Sequence, residues 1–285
     1  MNVGGLPARF TKMSGAGNDF LVFEGRASVG PREAETIRRA CRRGTGVGAD
    51  GVLFVGRDPE DPRRVLLDYF NADGGRARFC ANGTRCAARF ASLERELSEL
   101  VLVTGWGDVP ALVRGDGTVT LTLPEPVVPG RRVTSFDRDA RLLRREACFV
   151  PVGVPHLVVY TADGVEVETL DLATVGPPLR RHPDLADGAN VNVVSPRGPS
   201  RLSVRSWERG VEGETLSCGS GVVAAAVVAA LDHRETPPIS VATRSGTQLV
   251  VDFRLEGSRA TGVTLTGDAC LVFEGTLLPE LLGGA

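Results

Sequence analysis

The sequence predicts a strand-rich α+β fold of two pseudo-symmetric lobes, each a sheet wrapped around a central helix. Three observations carry the prediction. Most apolar residues alternate with polar ones, the period of a strand. Helix-like stretches are few, so sheet must cover them. Three anchors also recur in order: Gly17, Asn71 and Cys80 in the first half, and Gly153, Glu208 and Cys218 in the second. The separations agree to within one residue in both intervals, and each series ends in Cys-x-x-Gly.

The elements follow from local pattern. "ARFTKM" (8–13), "VLLDYFN" (65–71), "VTLTLPEP" (119–126), "HLVVYT" (156–161), "LSVRSWE" (202–208), "ISVATR" (239–244) and "QLVVDFRL" (248–255) read as strands bounded by Gly, Pro, Asp or Asn. Helices are expected over 32–43, 83–96, 170–181 and 219–232. The proline-rich "LPEPVVPG" (123–130) marks the boundary. The expected division is 1–124, carrying Cys80 and joined by 268–285, and 125–267, carrying Cys218.

Composition narrows the function classes. With 42% hydrophobic and 24% charged residues the chain reads as a globular protein large enough for two domains. A net charge of −2 gives no electrostatic case for nucleic acid. The N-terminus has no basic start followed by an apolar core, and the longest apolar run, "GVVAAAVVAAL" (221–231), is too short to span a bilayer. No membrane and a cytoplasmic location are therefore expected, with reduced thiols. No C-x-x-C pair occurs, and Cys80 and Cys86 lack the histidines of a zinc site, so no metal is expected. Lys12 is the only lysine; Schiff-base chemistry would have to use it, and it reads instead as a hydrogen-bonding residue.

Cys80 and Cys218 each precede small residues and a helix: Ala81-Asn82-Gly83 in one case, Gly219-Ser220-Gly221 in the other. The first N–H groups of a helix lack partners and carry the positive end of its dipole. A thiolate there is stabilised, and the same N–H groups can hold a carboxylate. Two such helix starts facing one cleft would grip a single carboxylate. One sulfur then removes the proton from the adjacent carbon, and the other returns one to the opposite face. Cys41, Cys86, Cys148 and Cys270 lack this context and read as small buried residues.

Nearly the whole chain resembles a diaminopimelate epimerase. The resemblance rests on "FTKMSGAGNDF" (10–20), "GVGADG" (46–51), "FNADGGRARFCANGTRC" (70–86), "GVPH" (153–156), "DGANVNVV" (187–194), "WERGVEGETLSCGSG" (207–221) and "TGDACLVFEG" (266–275). It implies an isomerase with no cofactor, a pyridoxal-phosphate-independent homodimer. Its amino-acid substrate would be LL-2,6-diaminopimelate, converted to the meso form for lysine and peptidoglycan precursors. It implies Cys80 and Cys218 as the acid/base pair, with His156 and Glu208 tuning them and Glu208 also near a substrate amine. Ala81, Asn82, Gly219 and Ser220 would present backbone groups to the nearer carboxylate. Asn18, Asn71, Asn190 and Arg209 would complete recognition. Arg209 offers a planar fork to a distal carboxylate, and Asp50 is expected to be structural.

Four departures from the family pattern stand out. Ala81 takes the place of a glycine, and Val154 that of an asparagine that helps bind the distal end of the substrate. "ERGVEGET" is one residue longer than usual, and Phe273 stands where many members carry a tyrosine linked to dimer contacts. Val154 keeps open a racemase of another amino acid on the same fold; a thiol redox sensor is the remaining alternative.

Overall fold

Parallel neighbours in a sheet need a crossover, usually a helix, and antiparallel neighbours need only a turn. That rule organises the computed structural model, which describes residues 2–26, 28–124, 127–133, 147–232 and 235–282. The chain divides into two compact units, Met1–Pro124 with Gly267–Ala285, and Glu125–Thr266.

In the first unit a short antiparallel ribbon, β1 (Asn2–Val3) and β2 (Leu6–Pro7), precedes the main sheet. β3 (Arg9–Gly15) and β4 (Asn18–Glu24) form a hairpin. Helix α1 (Pro31–Cys41) crosses to β5 (Gly51–Arg57), parallel to β4 and antiparallel to β6 (Arg64–Asn71). After β7 (Arg76–Ala77), helix α2 (Ala81–Arg95) crosses to β8 (Glu99–Val103), parallel to β6. β9 (Asp108–Val113) and β10 (Val119–Thr122) follow antiparallel. The last strand, β20 (Cys270–Thr276), returns to pair with β3.

The second unit repeats this order. β11 (Arg132–Val133) pairs with β12 (Ala147–Val152), and β12 with β13 (Val154–Tyr160). Helix α3 (Leu172–Arg180) lies on the crossover to β14 (Asn190–Pro196), parallel to β13 and antiparallel to β15 (Arg201–Glu208). After β16 (Gly213–Thr215), helix α4 (Gly219–Leu231) crosses to β17 (Ile239–Ala242), parallel to β15. β18 (Gln248–Glu256) and β19 (Arg259–Gly267) complete the antiparallel run.

Each sheet is covered on both faces, which decides the composition of its central strands. Phe10, Phe23, Val52, Phe54 and Phe70 pack with Ile37 and Ala40 of α1 in the first unit. Leu157, Val159, Val191 and Val193 pack with Leu172, Val175 and Leu179 of α3 in the second. On the other side α2 and α4 lie against strands of their own unit. Helix α4 is apolar all round and buried from Gly221 to Ala230, as a fully enclosed helix must be. Strands β5 and β14 are buried along nearly their whole length, so they lack the alternation by which strands were predicted. β4, β5, β8, β9, β12, β14, β19 and β20 add to the strands expected from pattern alone.

Candidate active site

In the first unit Cys80 is the N-cap of α2, with extended backbone, and its sulfur accepts the Gly83 N–H at 3.5 Å. The helix therefore begins at Ala81, two residues before its expected start. A side chain on Gly83 would meet Leu53 Cδ2 at 3.1 Å, so glycine lets this turn sit close to the sheet. Beside the cysteine is a recess lined by Leu53, Leu67, Tyr69, Phe79 and Thr104. The β3–β4 turn brings Asn18 close: Ala16 and Gly17 both have positive φ, the conformation of a two-residue hairpin turn. Asn82 Nδ2 donates to Asn18 Oδ1 at 2.7 Å, and Asn18 Nδ2 donates to Asp50 Oδ2 at 2.9 Å.

An ion cluster anchors this chain of amides. Arg43 reaches Asp19 at 2.6 Å and Asp50 at 2.8 Å, and Lys12 reaches Asp19 at 2.7 Å. Burial pushes the Asp19 carboxyl up, but hydrogen bonds from Arg43 and Lys12 outweigh it and hold the group below its usual range. Lys12 is buried and paired. From the helix side, the buried Arg85 donates to Asn82 Oδ1 at 2.9 Å and to the Asp268 carbonyl at 3.1 Å. Sequence reading passed over Arg85, because arginine is rarely fully buried. Asn71 ends β6, exposed, within a turn closed by Gly74 N–H to its carbonyl at 2.9 Å.

In the second unit Cys218 is the N-cap of α4, again extended, and its sulfur lies 3.7 Å from Ser220 Oγ. Ser220 Oγ is 2.9 Å from His156 Nε2 on β13, and His156 Nδ1 is 3.1 Å from Asn192 Nδ2 on β14. Burial draws the His156 imidazole down to about 3, helped by the positive charge of Arg209, so the ring is neutral at neutral pH. Asn192 was not singled out from sequence. The available cue was spacing: in "NVNVV" it lies two residues beyond Asn190 and so shares its face of the strand.

Around the same helix start, Glu208 accepts from Thr215 Oγ1 at 2.6 Å, and Asn190 Oδ1 accepts the Arg209 N–H at 2.7 Å. The Arg209 guanidinium donates to the Asp187 carbonyl at 3.1 Å. The extra residue of "ERGVEGET" is absorbed in the β15–β16 turn: Glu208 pairs with Gly213, and Glu212 takes a positive φ of 52°. Thus the first unit joins Asn18 and Asn82 beside Cys80. The second joins His156, Ser220 and Cys218, and separately Asn190 with Arg209 and Glu208 with Thr215.

The remaining thiols behave differently from one another. Cys41, Cys86 and Cys148 are buried, and burial pushes Cys41 up to about 12 and raises Cys86 as well. Cys270, expected to be buried, is exposed, because β20 presents nearly its whole length to solvent in this chain. Among the described residues no group of three or more His, Cys, Asp or Glu side chains is placed to hold a metal ion. None of the described helices is long and apolar enough to cross a membrane.

The sequence profile of the diaminopimelate epimerase family matches residues 10–127 and 148–272. A diaminopimelate epimerase of Aquifex aeolicus is 36% identical over 96% of this chain and 99% of its own length. One from Gemmatimonas aurantiaca is 35% identical over 94% of this chain and 98% of its own. Among solved structures, a hydroxyproline epimerase from Agrobacterium vitis superposes with a TM-score of 0.68 at 17% identity, covering 97% of this chain and 94% of that one. A phenazine biosynthesis protein of the PhzF family from Bacillus anthracis gives 0.69 at 14% identity, covering 95% and 99%. At those identities the likeness is one of fold.

Proposed function

The chain belongs to the diaminopimelate epimerase family, and from that premise we propose that it converts LL-2,6-diaminopimelate to the meso form by two-base chemistry, without a cofactor. The observation that carries the reading is the pair of cysteines, each an extended N-cap of a helix at the same point of the same strand order.

The physical steps are these. Helix-start N–H groups of Ala81, Asn82, Gly219 and Ser220 bind the carboxylate next to the reacting carbon. Cys80 as thiolate takes the α-proton of the LL substrate, and the electron pair passes into that carboxylate as an ene-diolate, where the same N–H groups stabilise it. Cys218 as thiol delivers its proton to the opposite face. The enzyme ends with Cys80 protonated and Cys218 ionised, and the reverse reaction exchanges the roles. His156 and Glu208 tune the thiols. Arg209, with Asn18, Asn71 and Asn190, recognises the rest of the diacid, and Glu208 also meets a substrate amine. The distal carboxylate is what separates this substrate from a simple amino acid, and a guanidinium fork suits it.

We read the two units as lobes, 1–124 with 268–285, and 125–267. A cytoplasmic homodimer acting on a small molecule, away from membranes and nucleic acids, fits a biosynthetic role in lysine and peptidoglycan supply. The dimer is supported by the exposed Leu271, Val272 and Phe273 of β20, an apolar row that association would cover.

The test is incubation with LL-diaminopimelate and a panel of L-amino acids in heavy water under reducing conditions. Meso product carrying deuterium at one α-carbon is expected from diaminopimelate alone. Turnover without deuterium, or preference for a monocarboxylic amino acid, would overturn the proposal.

A further inference from the structure

A buried neutral imidazole has one N–H and one acceptor nitrogen, and its neighbours decide which is which. At His156 the deciding neighbour is Asn192. Its amide is fixed at both ends: Oδ1 accepts from Ser206 Oγ at 2.8 Å, and Nδ2 faces His156 Nδ1 at 3.1 Å. It is also fixed by packing. A side chain on Gly221, in the first turn of α4, would lie 2.0 Å from Asn192 Oδ1, so the amide fills the space that this glycine leaves. Asn192, His156 and Ser206 are all buried, which leaves the amide no exchange with water.

We infer that Asn192 is a positioning residue for the second thiol: it holds His156 as the Nε2–H tautomer, and through it turns the Ser220 hydroxyl proton toward Cys218. The steps follow from the direction of the Ser206 hydroxyl, which donates to Asn192 Oδ1 and so turns Nδ2 toward the ring. A proton on His156 Nδ1 would confront the Asn192 N–H, donor against donor, so the proton sits on Nε2. Nε2–H then donates to Ser220 Oγ at 2.9 Å. Ser220 has one proton of its own left, and Cys218 Sγ lies 3.7 Å away to receive it. A donor aimed at sulfur favours the thiolate. No net charge enters the relay, so its effect rests on orientation alone. The inference deepens the functional reading and depends on Cys218 being an acid/base thiol.

Two measurements on the full-length protein test it, and neither requires turnover. The first is nitrogen–proton NMR of the histidine rings near neutral pH. His156 is assigned by the resonance lost in His156→Gln or, if that variant does not fold, by its through-space contact with Ser220. The Nε2–H tautomer is expected; an Nδ1–H ring or an imidazolium overturns the inference. The second is iodoacetamide alkylation of Cys218 in a Cys80→Ala background, followed by mass spectrometry of its peptide. Ser220→Ala is expected to slow the reaction about tenfold. Asn192→Asp, which demands a proton on Nδ1, is expected to slow it equally. Because both act through one hydroxyl proton, the double variant is expected to be no slower than either single one. An unchanged rate in Ser220→Ala, or losses that multiply, overturns the inference. A protein that leaves diaminopimelate untouched would sink the proposed function but leave these readings intact.

Discussion

Cys80 and Cys218 occupy the same place in two units of matching strand order, yet their neighbours differ in kind. Cys80 belongs to a charged environment. Its helix carries the buried Arg85, whose guanidinium binds Asn82, and Asn82 leads through Asn18 to the Asp50, Arg43 and Asp19 cluster. The hydrogen-bonded groups that lead to Cys218 are neutral, the Ser220 hydroxyl, the His156 ring and the amide of Asn192, and the charge of Arg209 acts on that ring. Five residues beyond each cysteine stand Arg85 and Val223, both fully buried. Topological symmetry therefore does not carry electrostatic symmetry. A reaction that exchanges acid and base roles needs two thiols of similar readiness, and the same readiness can come from a buried cation or from oriented neutral donors.

The sharpest way to break this comparison is to remove each sulfur in turn. On the proposed mechanism Cys80→Ala and Cys218→Ala each lower kcat for epimerisation by about 10³-fold or more, since each removes one of two obligatory proton carriers. A variant that retained near-normal turnover would show that one unit only resembles a catalytic half.

The next effect is confined to one unit, because the three histidines, His156, His182 and His233, all lie in the second. The folded-state value of His156 is depressed from 6.5 to about 3. Between those values the unfolded chain binds a proton that the folded chain refuses. Stability from this residue is complete above about pH 6.5 and falls by roughly 1.4 kcal/mol per pH unit as the solution is acidified toward pH 3. Urea unfolding of wild type and His156→Gln across that range is expected to show a steeper acid loss in the wild type. Parallel curves would mean that the ring takes a proton in the folded state.

A smaller contrast lies in the two glycines three residues after each cysteine. In Gly221→Ala the new carbon would lie 2.0 Å from the buried Asn192 amide, whereas in Gly83→Ala it would lie 3.1 Å from the tip of Leu53. A leucine tip can shift, and the gain in helix propensity of up to about 1 kcal/mol offsets the cost, so Gly83→Ala is expected to be near neutral. Gly221→Ala is expected to cost about 1–3 kcal/mol of stability and to lower kcat by displacing the relay. Equal costs in thermal unfolding would put the close packing in both units alike.

These contrasts also mark where sequence pattern stops being informative. Half-buried strands such as β10, β17 and β18, and the helices behind both cysteines, were legible, because half-burial and small residues after a helix cap leave local traces. β5 and β14 were not, since burial on both faces removes their alternation. Cys80 and Cys218 stood out through a repeat. Arg85 and Asn192 did not, because their placement depends on partners distant in sequence, Asp268 for one and His156 for the other. Cys270 was misread for a related reason: its exposure follows from β20 lying open to solvent along nearly its whole length, and no residue near it in sequence records that.

The smallest expected effect concerns the turn that opens each repeat. After Gly17 comes Asn18, locked between Asp50 and Asn82; after Gly153 comes Val154, 42% exposed at the start of β13. One unit thus spends a polar residue at this position and the other does not. Val154→Asn restores an amide where the family pattern has one. An exposed substitution at a strand end changes stability by no more than about 0.5 kcal/mol. One added hydrogen bond to bound diacid is worth about 1 kcal/mol, or roughly fivefold in affinity. If the contact forms in the ground state and the transition state alike, it lowers KM and leaves kcat unchanged. Steady-state kinetics with LL-diaminopimelate check this, and an unchanged KM would mean that the distal end is recognised by Arg209 and its neighbours without this turn.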